Sequence, residues 1–300
     1  MFSFTKEQKE VTIGSVTIGG QPGHHPTVLF AGLFFKGKPD RNQAAKQLRY
    51  MYELSSRTAV PGIPDLFFRK KEYVADIISF IETSIPDPLP FSVDIQDAAI
   101  KTRVLEQLHD KGLLHRTIYN SIHIGITEEE RKFLKKYRPR MAIVVAFNPK
   151  DRSPDGKIEV LETGAHLLSQ GLLDMTRSIG ITDVLIDTAA LAPGENSGAS
   201  VAALPVIKEE YGLPCGCAIH NVVEKSSWLD GFADVKSVVD TASNINVSLF
   251  GGDYVLFGPI QHAKTVFPTV AWQDILISEY AESYFGISPA EKHPRRLLLK

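Results

Sequence analysis

The sequence predicts one α/β domain over residues 1–300, a (β/α)8 or TIM barrel preceded by a short β-hairpin. The length of 300 residues is typical of a single α/β barrel. Short apolar segments alternate with amphipathic segments along almost the whole chain, which favours parallel strands connected by helices. Eight such strand–helix units fit a closed barrel better than a doubly wound sheet. No change in composition marks a second domain.

The predicted elements follow one another with few interruptions. The segment from Val11 to Gly20 has the pattern of a hairpin that turns at Gly14 and Ser15. Apolar runs predict the eight barrel strands at 27–35, 65–69, 90–95, 116–122, 141–147, 183–187, 214–220 and 254–260. Helical spacing predicts helices at 41–57, 73–83, 97–111, 158–178, 199–211 and 265–285, with two more starting at 127 and after 234. Thr127 and Glu130 have the spacing of a helix capping box.

Composition and charge exclude several classes of protein. Hydrophobic residues make up 43% and charged residues 23% of the chain, which excludes a largely disordered protein. A net charge of −2 provides no basic field for nucleic acid or an anionic membrane. No apolar run is long enough for a membrane helix, and the first residues lack the apolar core of a signal peptide. Two cysteines exclude a disulfide framework, so we expect a cytoplasmic protein.

Acidic or amide side chains stand at the ends of five consecutive predicted strands. They are Asp94, Asn120, Asn148, Asp187 and Asn221. The C-terminal ends of the strands form the active-site mouth of a TIM barrel. Asp and Asn also form turns and cap helices, but five in succession exceed what that role requires. Two carboxylates and three amides without Lys or Arg suit a flat, neutral, polar ring such as a pterin, guanine or flavin. The same positions lack the His and carboxylate set of a metal site, and we predict none.

Several stretches, in their order and spacing, resemble a known family. They are Met1 to Lys9, Ile18 to Gly23, Thr176 to Ser178, Leu185 to Ala189 and Tyr254 to Pro259. They are similar to the H-subunit family of tetrahydromethanopterin S-methyltransferase, and in particular to its bacterial methylcobalamin:tetrahydrofolate methyltransferase relatives. Asp94, Asn120, Asp187 and Asn221 also match the pattern of the wider pterin-binding methyltransferase superfamily.

The resemblance implies an enzyme that moves a methyl group from methylcobalamin to N5 of tetrahydrofolate, reversibly in principle. It implies that Asp94, Asn120 and Asp187 hold the amide and amino edge of the pterin. Asn221 is then the catalytic residue nearest N5, where an amide can follow the change in charge by hydrogen bonding. Asn148 is a further candidate for holding the ring. Relatives act as homodimers, so we expect one here, with residues 272–284 as a candidate contact.

The methylcobalamin is expected on a partner. Corrinoid carriers that displace the lower ligand of cobalt use Asp-x-His-x-x-Gly, and none of the nine His residues has an Asp two positions before it. The chain also has no room for a second domain. A corrinoid protein docked over the mouth is therefore the expected donor.

Alternative functions remain open at this stage. One is a tetrahydromethanopterin-specific methyltransferase subunit, and another is a non-catalytic pterin-binding or docking subunit. A dihydropteroate synthase is less favoured, because its pyrophosphate chemistry requires Lys or Arg at the ends of the seventh and eighth strands. Cys215, Cys217 and His220 raise the question of zinc. On a strand, however, Asn221 and both thiols share one face and His220 the other, so the thiols are expected to fill the barrel core.

Overall fold

Eight parallel strands close into a barrel in the computed structural model, which describes residues 3–35, 37 and 39–299. Two antiparallel strands, β1 (Glu10–Ile13) and β2 (Val16–Gly19), precede it. The barrel strands are β3 (Val28–Phe34), β4 (Gly62–Phe68), β5 (Phe91–Ile95), β6 (Thr117–Ile122), β7 (Met141–Val145), β8 (Val184–Asp187), β9 (Cys215–Cys217) and β10 (Tyr254–Pro259). They pair in chain order, and β10 closes the barrel against β3. The predicted fold class is confirmed.

Helices connect the strands and form the outer layer. They are α1 (Arg41–Thr58), α2 (Val74–Ser84), α3 (Ala98–Asp110), α4 (Glu128–Tyr137), α5 (Pro154–Glu162), α6 (Leu172–Ile179), α7 (Gly198–Tyr211), α8 (His220–Glu224), α9 (Lys236–Leu249), α10 (Ala263–Phe285) and α11 (Pro294–Leu298). Most lie within two residues of their predicted bounds. The prediction of one helix at 158–178 is wrong. Two helices occupy that range because Gly164, at φ 79°, ends one turn and Gly171 opens the next.

The hairpin covers the N-terminal end of the barrel. It turns at Gly14 and Ser15 as predicted, since Ile13 pairs with Val16. Gly14, at φ 55°, comes so close to the Pro88 carbonyl before β5 that a Cβ would lie 1.9 Å from its oxygen. The apolar side chains of β1 and β2 join the cluster that fills the barrel interior. The opposite, C-terminal end is left open as the mouth.

Two apolar layers hold the barrel, one inside it and one under the helices. The interior cluster takes alternate positions of the strands, which include Val28, Phe30, Ile63, Ile118, Met141, Ile143, Leu185 and Tyr254. The intervening positions pack against the helices. A parallel sheet covered on both faces gives such continuous apolar strands. Because side chains alternate between the two layers along each strand, the interior apolar residues indicate which side chains face the barrel axis near the mouth.

The seventh barrel strand is shorter than predicted, and its alternation is reversed. β9 ends at Cys217, and residues 220 and 221 begin α8. Both thiols belong to the layer under the helices, so their predicted position in the barrel core is wrong. Gly216 takes the interior position because Tyr254 of β10 fills that space. A Cβ on Gly216 would lie 2.1 Å from the backbone carbonyl oxygen of Tyr254 and 2.8 Å from Cγ of its side chain.

Exposed apolar side chains lie on α10, in the region predicted as a dimer contact. Trp272 is 59% and Tyr284 71% exposed. Among the described residues, no helix is both long and apolar enough to cross a membrane.

Removal of the cap of α4 is expected to cost about 1 kcal/mol of unfolding free energy. Thr127 Oγ1 accepts a hydrogen bond from the Glu130 backbone N–H at 3.1 Å, which is half of the predicted capping box. The Glu130 carboxylate instead accepts from Lys101 and Tyr119, both at 2.8 Å. Thr127→Ala should lower the melting temperature by about 2–4 °C. Thr269→Ala, on the exposed surface of α10, is the control, and an equal shift in both would contradict the assigned cap.

Candidate active site

Polar side chains replace the apolar interior layer at the mouth. Asp65 on β4, Asn120 on β6 and Asp187 on β8 each follow an interior apolar residue by two positions, so they face the barrel axis. Asp94 on β5 lies beside Asn120 in the register. These four side chains come from four strands. The structure thus brings together three of the five predicted site residues and adds Asp65.

Asp65, Asp94 and Asn120 form a crowded group. The Asn120 Nδ2 lies 3.4 and 3.5 Å from the two carboxylate oxygens of Asp65. Burial raises the pKa of Asp65 to about 6, and the hydrogen bond from Asn120 offsets only part of that effect. Burial and the nearby charge of Asp65 raise the pKa of Asp94 to about 8. At neutral pH the ligand-free mouth therefore holds at least one carboxyl in its protonated form.

Asp187 faces the same space from the other side of the barrel. Its Oδ1 accepts a hydrogen bond of 2.7 Å from the Ala189 backbone N–H. Burial raises its pKa to about 6, against the lowering effect of that bond and of the charge of Lys157. Lys157 lies on the first turns of α5 and is 1% exposed, and burial lowers its own pKa. Two buried ammonium groups thus act on carboxyl groups of the mouth: Lys157 opposes the rise in the pKa of Asp187, and Lys101 opposes that of Asp94.

Asn148 has a structural position beyond the end of β7. Its Nδ2 donates to the Gly156 carbonyl at 3.2 Å and to Glu159 at 3.3 Å. Its Oδ1 accepts from the backbone N–H groups of Lys150 and Asp151. All four hydrogen-bonding positions of the amide are therefore occupied by the protein. Asn148 shapes the loop after β7, and we do not include it among the proposed ring contacts.

The residues after β9 present one exposed and one buried side chain at the mouth. Asn221 lies in the first turn of α8 and is exposed. His220 is 9% exposed, and its ring covers Gly258 of β10, where a Cβ would come within 2.3 Å of the imidazole. Gly258, at φ 86°, lies at an irregularity of β10 between Leu256 and Pro259, near the C-terminal end of the strand. His220 begins a helix, so the strand alternation that assigned it to the face opposite Asn221 does not apply to it.

A buried carboxylate holds the ring of His220. The Nδ1 of His220 lies 2.8 Å from Oδ1 of Asp240 on α9. The Nδ1 of His262, just before α10, lies 2.9 Å from Oδ2 of the same carboxylate. Burial opposes the charge of Asp240, but the two histidine hydrogen bonds outweigh it and lower its pKa. The two contacts use different oxygens at hydrogen-bond distances, so we interpret this His–Asp–His unit as hydrogen-bonded.

The mouth continues into a cleft of about 570 Å³ beyond β3 and β10. Its lining includes Phe34, Phe35, Gln43, Arg69, Pro259 and Gln261. The guanidinium of Arg69 stands 4.9 Å from the centre of the Phe67 ring. The cleft offers aromatic and amide surfaces to a molecule larger than a single ring.

Hydrogen-bond capacity, not charge, defines the chemistry of this site. Asp94, Asn120 and Asp187 accept and donate toward one space, as the N–H-rich edge of a flat heterocycle requires. Two carboxyl groups that face one space disfavour an anion such as pyrophosphate there, and burial raises the pKa of both. The three side chains therefore suit a neutral ring whose amide and amino groups lie on one edge.

Comparison with known families decides the relationship. The family model "Tetrahydromethanopterin S-methyltransferase MtrH subunit" matches residues 6–290. The chain belongs to the MtrH family. Curated MtrH relatives cover nearly the full length. The H subunit of tetrahydromethanopterin S-methyltransferase from Methanothermobacter thermautotrophicus is 35% identical over 308 residues, with 98% of each chain covered. The protein of the same name from Methanosarcina barkeri is 34% identical over 313 residues, again with 98% coverage of both.

The MtrH relationship confirms the family resemblance and the methyltransferase class. It does not support the first choice of tetrahydrofolate, because these relatives carry the name of tetrahydromethanopterin. A solved structure, Yersinia pestis DHPS with a pterine-sulfa conjugate, has a TM-score of 0.61, 12% identity, and covers 92% of this chain and 100% of its own. At that identity it supports the barrel fold alone.

Three residues of this MtrH-family mouth were missed in the sequence. Asp65 was predicted as the first residue of its strand, although an Asp between apolar neighbours also indicates an interior polar position. Lys157 was hidden because the helix was predicted to start too late. Ser153 before Pro154 is the helix-start signal that places it. His220 was assigned to a strand that the structure ends at Cys217.

Proposed function

We propose that this protein transfers a methyl group between a corrinoid protein and N5 of a tetrahydropterin. The main support for this proposal is that Asp94, Asn120 and Asp187 face one space at the mouth of an MtrH-family barrel. Their donors and acceptors match the N–H edge of a pterin, and Asn221 stands at the rim of the same mouth.

Tetrahydromethanopterin is the favoured pterin. The H subunits from Methanothermobacter thermautotrophicus and Methanosarcina barkeri, which match 98% of the chain, are named for it, whereas tetrahydrofolate rests on the sequence resemblance alone. Both pterins share the ring edge that Asp94 and Asp187 would hold, so the choice between them depends on the substituents beyond the ring. The cleft lined by Phe34 and Arg69 is the surface we propose for discrimination between them.

The residues act mainly by placement. Asp94 and Asp187 accept from the ring edge in their ionised form, and Asn120 both donates and accepts. Asn221 hydrogen-bonds near N5, where a neutral amine gains a methyl group and loses a proton. The corrinoid supplies a methyl cation equivalent from cobalt when the partner docks over the mouth. Alignment of two large reactants is then the main source of rate.

The test is the visible spectrum of methylcobalamin mixed with the protein and either tetrahydropterin, anaerobically and in dim light. Loss of the methylcobalamin band with growth of the cob(I)alamin band is the expected result. We expect a rate with tetrahydromethanopterin about tenfold or more above that with tetrahydrofolate, a difference of about 1.4 kcal/mol. The reverse order would restore tetrahydrofolate as the substrate.

The control is the same mixture with heat-denatured protein. Absence of turnover with both pterins, even when a methylated corrinoid protein replaces free methylcobalamin, would contradict the proposed methyltransferase activity. Binding of the pterin without turnover would then favour the non-catalytic binding subunit. The homodimer and the cytoplasmic location stay predictions, and the exposed Trp272 and Tyr284 on α10 support the first.

A further inference from the structure

The His–Asp–His unit of His220, Asp240 and His262 has no role in the proposed pterin contacts. It joins three elements around β10: α8, α9 and the turn before α10. Asp240 is 3% exposed, and its two oxygens bind one Nδ1 each at 2.8 and 2.9 Å. A carboxylate that accepts from both rings fixes the proton of each imidazole on Nδ1. The Nε2 atom of each ring is then the free basic nitrogen.

The Nε2 of His220 is available to a bound molecule. Within residues 3–35, 37 and 39–299, no hydrogen bond is found from this atom to the protein. The ring covers Gly258 near the C-terminal end of β10, and the next residue along the chain is Asn221. A buried imidazole whose free nitrogen lies at the mouth, oriented by a carboxylate, is the usual arrangement of a general base.

We propose that His220 accepts the N5 proton during methyl transfer, with Asp240 and His262 as its positioning residues. This inference rests on the proposed function. The N5 lone pair forms the bond to the methyl carbon, the cobalt–carbon bond breaks with both electrons on cobalt, and the N5 proton moves to Nε2 of His220. The Asp240 carboxylate stabilises the imidazolium. In the reverse direction the same imidazolium returns the proton to N5.

The surroundings leave Asp240 as the main electrostatic partner of His220. The ring of His262 lies 5.4 Å from that of His220 and shares the carboxylate. Lys236 on α9 is occupied by Asp230 at 3.3 Å and Glu224 at 3.9 Å. Three other charged or titratable residues lie on or next to these elements: Lys225 directly after α8, Tyr254 on β10 and Lys264 in the first turn of α10. None of these three forms a hydrogen bond or ion pair with His220 in the described chain.

His220→Asn tests the proposal, because the Asn amide can retain the bond to Asp240 but has no basic nitrogen. We expect kcat for transfer from cobalt to the pterin to fall about 100-fold at neutral pH, with pterin affinity within about threefold of the wild type. The pH–rate profile should lose one ionisation. A second readout is independent of turnover: in long-range proton–nitrogen NMR spectra, pterin binding should shift Nε2 of His220.

Asp240→Asn should lower kcat as well and disturb the Nδ1 signals of both rings. His115→Asn is the matched control, since His115 is exposed and bonds the Gly112 carbonyl near the start of β6. An active wild type with an equally active His220→Asn, an unchanged pH profile or an unperturbed Nε2 would overturn the proton role alone. A wild type inactive with both pterins would overturn the proposed function and this role together.

Discussion

Asp94→Asn is expected to weaken tetrahydropterin binding by about 1000-fold while it stabilises the ligand-free protein at alkaline pH. The binding loss follows because an amide cannot accept two N–H bonds from the ring edge and leaves a buried donor unpaired. The stability gain follows from the pKa of Asp94, which burial and Asp65 raise to about 8. Asp94→Asn is therefore expected to weaken pterin binding and to raise the stability of the folded protein at the same time.

The sign of the pH dependence follows from this raised pKa. Between about pH 4 and pH 8 the folded protein retains a proton on Asp94 that the unfolded chain has lost. The free energy of unfolding therefore falls as pH rises through this window, and Asp94→Asn removes that fall. The variant should melt about 3–6 °C higher than the wild type near pH 8, with the difference vanishing below about pH 4.

The role of Asp94 in binding can be tested by titration calorimetry in two buffers of different ionisation enthalpy, which measures the protons released when the pterin binds. Near neutral pH, pterin binding to the wild type should release a proton, because Asp94 must ionise to accept from the ring. Asp97→Asn is the control, since Asp97 caps α3 just beyond the mouth through the Ile100 backbone N–H. A pH-independent melting difference, or equal binding by Asp94→Asn, would contradict the assigned role.

The sequence predicts the barrel and much of its mouth for definite reasons. Alternating apolar and amphipathic segments leave few arrangements other than parallel strands under helices. The C-terminal position of Asp94, Asn120 and Asp187 then follows from the strand bounds alone. Asp65 was missed because its strand was predicted to begin at this residue. In the structure, β4 begins at Gly62, and Asp65 is an interior residue.

The alternation of β9 could not be predicted from its own sequence. Parallel strands are apolar on both faces, so Cys215 and Cys217 fit either layer equally well. What decides the layer is Tyr254 on the next strand, whose bulk leaves room only for Gly216 inside the barrel. Beyond Cys217 the chain leaves the strand and turns into α8, where His220 is buried and Asn221 is exposed. Sequence periodicity contains no information of this kind.

Asn221→Ala is expected to lower kcat by about 300-fold with little change in pterin affinity. Asn221 is exposed on the first turn of α8, outside the group that would hold the ring edge, so its loss should spare binding. One well-placed hydrogen bond that strengthens as charge develops contributes about 10²–10³ in rate. Single-turnover spectra of methylcobalamin loss measure kcat, and pterin titration measures the affinity.

Two further substitutions show whether the effect on kcat is specific to the Asn221 amide. Lys225→Ala, a neighbouring exposed position on the C-terminal side of α8, should leave both quantities near the wild type and is the control. Asn221→Asp should bind the protonated pterin too tightly and slow the proton loss that follows transfer, so it should not restore kcat. If a partner corrinoid protein supports the same rate with Asn221→Ala as with the wild type, Asn221 has no catalytic role. The chemistry would then reside in other residues of the mouth, with His220 as the proposed base.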